Sequence, residues 1–205
     1  MNCLIRLWLY SLLLALPLCA LGDASQMSRV LKQTPVPARF SFCWGGTCAG
    51  VLEVSLSEEE WGEVRKLFAG AELQDAAAER ALIPQAIALM ERLVGPKTGT
   101  DADRAGTYGN SDFPGQLDCN DETANSSSYL RMMIADGLLR FHRVVDSTTR
   151  GWLSLDPHSA AVIEDAASGA RYAVDAWFYD NGEPAQVIPL AIWHAGWRPD
   201  DSTAR

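Results

Sequence analysis

The 205-residue chain carries 26 acidic and 17 basic side chains, a formal net charge of −9. With no run of Lys or Arg it has no electrostatic footprint for nucleic acid, which excludes that class of partner.

In chain order, the first element is a leader. Arg6 precedes an apolar run from Leu7 to Leu21, and Ala20 to Gly22 supply small residues suited to a signal peptidase. A bilayer span takes roughly 20 apolar residues, so this shorter run reads as a signal peptide over 1–22 rather than an anchor. The leader holds one Arg and no acid, so residues 23–205 keep 26 acids against 16 bases, a formal −10. Their length suits one domain. The expected location is periplasmic or secreted, with no stable membrane span after cleavage.

The stretch FSFCWGGTCAGVLEV, Phe40 to Val54, is two β-prone runs around Gly45-Gly46, a two-residue hairpin signal. In that register Trp44 faces Thr47. Cys43 then faces Cys48 in a non-hydrogen-bonded pair, where Cα atoms lie about 4.5 Å apart. A disulfide accepts that separation, and a secreted protein meets an oxidising compartment. Cys43–Cys48 is therefore expected to staple an N-terminal hairpin at about 38–56. Cys3 and Cys19 fall in the leader, so Cys119 is left over, as an intermolecular link or a reactive thiol.

Two helices follow. Ser57 and Glu60 stand at capping-box spacing ahead of apolar Trp61, Val64, Leu67 and Phe68. Gln74 to Val94 reads as a second amphipathic helix, kinked or restarted near Pro84. Gly95 to Gly115, dense in Gly, Thr and Asp, reads as a long loop. Beyond it, helix signals begin at Asp118 or Asn120. Leu130, Met133, Ile134 and Leu138 fall on one helical face, and Cys119 lies on the same face at the N-terminus. The polar neighbours in LDCND argue for an exposed thiol, and a helix N-terminus lowers a thiol pKa. Its N–H groups also suit a developing oxyanion.

A nucleophilic Cys needs a base, and the base needs an orienting group. His158 opens HSAAVIEDAASGARYAVDAWF, two alternating runs joined at Asp165–Gly169, which reads as a β-hairpin. If Glu164 faces Gly169 across the loop Asp165–Ser168, His158 faces Asp175. A register shift of two keeps that pair on one face, and a shift of one separates them. That face carries small Ala160 and Ala173, which lets a helix approach closely. Near the C-terminus Pro189 to Trp197 reads as a short helix, with His194 assigned a packing role.

The order of Cys at a helix start, then His and Asp on successive antiparallel strands, resembles the transglutaminase-like core of the papain-like cysteine peptidases. DCND, Asp118 to Asp121, is similar to the DCxD of bacterial transglutaminase-like cysteine proteinases. GLLRFHRVV, Gly137 to Val145, is similar to the segment after their catalytic helix, and HSAAVIE and RYAVDAW to their His and Asp strands. The resemblance implies Cys119 as nucleophile, His158 as general base and acid, and Asp175 as the group orienting the imidazole. It suggests Gln116 as an oxyanion donor, although it stands only three residues before Cys119. Ala176 and Glu122-Thr123 depart from the pattern, which bears on substrate preference more than on chemistry. Asp118 and Asp121 match acidic positions that bind calcium in some members, and both equally suit helix capping. No other cofactor is required.

The expected fold is α+β, papain-like, with a Cys-bearing helix on an antiparallel sheet bearing His and Asp. The expected activity is thiol-dependent hydrolysis of an amide in a protein or peptide substrate. The rivals are a peptidoglycan amidase or endopeptidase, and a catalytically silent binding or assembly module.

Overall fold

The computed structural model describes residues 20–71, 73–108, 113–151 and 157–199. Most of the segment read from sequence as a signal peptide, residues 1–19, lies outside them. Eleven elements follow one another in the chain. They are α1 Ala20–Leu31, β1 Phe40–Trp44, β2 Gly50–Val54, α2 Glu58–Ala69, α3 Ala76–Thr98 and α4 Cys119–Ala135. The second half holds β3 His142–Arg150, β4 His158–Asp165, β5 Arg171–Asp175, β6 Gln186–Pro189 and the short α5 Leu190–His194. The architecture is α+β: a β1–β2 hairpin, and an antiparallel sheet in the order β3-β4-β5-β6. Among the described residues no helix is long and apolar enough to cross a membrane.

Local chemistry accounts for the helix starts. Ser57 and Glu60 form a capping box at α2, and Asp75 caps α3 through Ala78 N–H. Pro84 does not break α3, which runs unbroken through Thr98 to Gly99 in the left-handed conformation. Gly95 is thus helical, and the long loop begins four residues later than the sequence suggests. Part of that loop, residues 109–112, lies outside the described residues.

The main core lies between α4 and one face of the sheet. Leu130 and Met133 of α4 pack with Ala161, Ile163 and Val174, and Trp61, Ile83 and Ile87 close the cluster from α2 and α3. Burying each of the larger aliphatic side chains among them contributes about 1.5–3 kcal/mol. The stripe expected on α4 understates its burial, because even Ser126, Ser127 and Ser128 are buried. The opposite sheet face carries Ala160 and Ala173, and the helix that approaches there is α5, through Trp193, with Trp197 just beyond its end. The small residues therefore make room for α5 rather than for the Cys-bearing helix.

Candidate active site

Two registers differ from the simple hairpin rules. In β1–β2, Cys43 pairs with Val51 and Trp44 with Gly50, so the loop spans five residues, 45–49. Cys43 and Cys48 are still joined, with Cα atoms 4.7 Å apart, but Cys48 sits in the loop rather than opposite on the ladder. The two-residue turn fails because Thr47 and Cys48 adopt φ of 53° and 56°. Such values cost a β-branched residue about 1–3 kcal/mol and persist only where neighbours hold them.

Those neighbours come from α4. Asp118 Oδ2 accepts from Thr47 N–H at 2.7 Å and from its hydroxyl at 3.2 Å. Asp121 accepts from Gly46 N–H and Cys48 N–H, both at 2.7 Å. One turn on, Asn125 takes Cys43 N–H at 2.8 Å and donates to Cys43 C=O at 3.0 Å, as a strand partner does. Asp118 Oδ1 also caps α4, accepting from Asn120 and Asp121 N–H. These oxygens face N–H donors, which is capping and loop-holding geometry. Among the described residues no group of three or more His, Cys, Asp or Glu could hold a metal ion.

Cys119 opens α4 with 6% of its surface exposed, so the thiol is buried despite its polar neighbours in sequence. Burial pushes it up to about 12, aided by the charges of Asp118 and Asp175. The N–H groups of Ser159 and of Cys119 itself pull the other way and do not overcome it. The helix N-terminus therefore does not leave a free thiolate, because desolvation of the anion outweighs the local dipoles.

In the β4–β5 hairpin Ala161 pairs with Val174 and Glu164 with Arg171, a shift of two from the expected register. The shift keeps His158 and Asp175 on one face. His158 Nε2 lies 2.7 Å from Asp175 Oδ2, and Trp193 Nε1–H donates to that same oxygen at 2.7 Å. His158 Nδ1 is buried and meets no hydrogen-bond partner among the described residues. The ring lies 4.7 Å from Trp177, 5.0 Å from Phe178 and 5.6 Å from Trp193, centre to centre. Arg150 anchors Trp193 by donating to its carbonyl and covering its ring at 4.5 Å.

A loop ties the Cys and His sides together. Asp103 accepts Leu117 N–H at 2.9 Å, two residues before Cys119. Thr107 donates through its hydroxyl to Leu117 C=O, and its own carbonyl accepts Trp177 Nε1–H at 2.6 Å. Gln116 works within this loop: its Oε1 accepts from Arg104 N–H and its Nε2 donates to Ala102 C=O. Gly115, at φ 81°, lies against the Gly99 carbonyl, where a Cβ would come within 2.1 Å of oxygen. His194, by contrast, meets Thr148 on an exposed surface.

Sequence reasoning missed Trp193, Asp103, Thr107 and Asn125. Trp193 did carry a signal, since a buried indole N–H needs an acceptor. No protein-family model, curated protein or solved structure matches the chain.

Proposed function

We propose that the protein is a thiol-dependent amide hydrolase with a papain-like, transglutaminase-like arrangement, acting on a protein or peptide in the periplasm or outside the cell. The observation that carries this reading is the state of His158. Asp175 engages one imidazole nitrogen, while the other is buried and meets no hydrogen-bond partner among the described residues; it belongs to the residue next to Ser159, whose backbone N–H favours the Cys119 thiolate.

In this reading the thiol rests protonated and is activated only as it reacts. Cys119 Sγ attacks the amide carbonyl carbon as its proton passes to His158 Nδ1. Asp175 stabilises the imidazolium, and the carbonyl electrons move onto oxygen. The N–H of Cys119 at the helix start supplies a donor where that charge develops. Collapse of the adduct breaks the C–N bond, and His158 protonates the departing amine. Water, deprotonated by His158, then attacks the thioester, and the carboxylic acid leaves as Sγ regains a proton. The Cys43–Cys48 disulfide and the leader support the compartment.

One observation favours a second reading, a catalytically silent binding module: the thiol is buried and pushed up to about 12. Alkylation by iodoacetamide, mapped to Cys119 by mass spectrometry in the wild type and His158→Ala, separates the two. Faster labelling in the wild type supports the hydrolase. Labelling that is equally slow in both supports the module.

A further inference from the structure

A groove of about 370 Å³ runs between α1, α4 and β3. Asn120 and Ser159 line its near end, the first adjoining Cys119 and the second adjoining His158. Arg131 lines its far end on the same face of α4. Eleven residues of helix separate Asn120 from Arg131, which is about 16 Å at 1.5 Å per residue. An extended peptide of about five residues covers that distance at roughly 3.3 Å each. Met27 and Leu31 give the α1 wall apolar surface for such a chain.

The charge lining the groove is unbalanced. Arg131 and Lys32 face a single acid, Asp146, among the described residues that line the groove. Arg131 Nη1 is buried and meets no hydrogen-bond partner among the described residues. A guanidinium stays charged, and its buried N–H groups call for an acceptor; the planar partner that fits its fork is a carboxylate.

We infer that this groove seats an extended peptide with a carboxylate about five residues from the bond presented to Cys119, and that Arg131 holds that carboxylate. The inference rests on the hydrolase reading only for which end of the peptide reacts. Asp146 sets the selectivity, since it repels the same carboxylate and keeps Arg131 from retaining small anions.

The test uses the full chain with Cys119→Ser, read by calorimetry. The probes are acetylated, amidated Ala-Ala-Ala-Ala-Glu and Glu-Ala-Ala-Ala-Ala, each beside its Gln counterpart. One Glu probe should bind at least tenfold tighter than its Gln counterpart. Arg131→Gln should erase the difference, Arg131→Lys should keep part of it, and Asp146→Asn should tighten the Glu probe several-fold. Equal binding of the Glu and Gln probes, no binding of any probe, or a preference that survives in Arg131→Gln overturns the inference. If Arg131→Gln does not fold, the Asp146→Asn arm decides, because unchanged affinity there removes the charge argument. Equilibrium binding to a protein without the thiol does not depend on Cys119 chemistry, so the hydrolase reading stands or falls separately on alkylation.

Discussion

Trp193 and His158 share one oxygen of Asp175, each at 2.7 Å, although they come from opposite sides of that carboxylate in sequence. Trp193→Phe keeps most of the packing and removes the N–H. The expected cost is about 1–2 kcal/mol, because a buried carboxylate loses a donor. Urea unfolding measures it. If Trp193 positions the pair, the pH profile of Cys119 alkylation shifts as well; a loss of stability with an unmoved profile would leave Trp193 a packing residue.

His158→Ala tests the base. At pH 7 the alkylation rate of Cys119 should fall at least tenfold, and the remaining reactivity should appear only at alkaline pH. The direction follows from burial, which raises the thiol to about 12 and leaves almost no thiolate at neutrality. Superimposable pH profiles for the two proteins would remove His158 from the role.

Buried acids on and around α4 set a pH dependence of stability. Burial raises Glu91 to about 8, Asp121 to about 7 and Asp103 to about 6, and holds Glu122 well above its usual range. Each binds its proton more tightly folded than unfolded. Their contribution is therefore complete below the unfolded carboxyl pKa near 4 and is lost as pH rises through about 6 to 8. Urea midpoints should fall across that window, and Glu91→Gln should flatten the slope. A midpoint that climbs from pH 5 to pH 8 would contradict the burial of these groups.

The disulfide loop is held twice, covalently and by α4. Peptide mapping should find Cys43 joined to Cys48, with Cys119 free. Replacing both with Ala should cost about 2–3 kcal/mol for so short a closed loop. Asn125→Leu should cost a similar amount, because it strands the buried N–H and C=O of Cys43. Neither change touches His158 or Asp175, so Cys119 alkylation in the folded variants should change less than threefold.

Asp118 gives a separate check. As a cap and loop anchor, Asp118→Ala should lower stability by about 1–2 kcal/mol. EGTA and added Ca²⁺ should leave the wild-type melting curve where it is. A shift of several degrees with Ca²⁺ would contradict the capping geometry.

What the sequence determined by itself was local. Ser57 with Glu60, Asp118 before Cys119, and the alternation in HSAAVIED specify helix starts and strand faces, because capping and pleating act over three or four residues. The same alternation put His158 and Asp175 on one face whichever even shift the hairpin adopted. Tertiary structure decided the rest. The five-residue loop at 45–49 exists because carboxylates some seventy residues away receive its N–H groups. Cys119 looks polar from its neighbours, yet the fold closes over it and desolvation reverses the direction of its pKa. Trp193 reaches Asp175 only after α5 folds onto the small-residue face of the sheet. Burial and long-range hydrogen bonds depend on which segments meet, and periodicity within a single segment carries no record of that meeting.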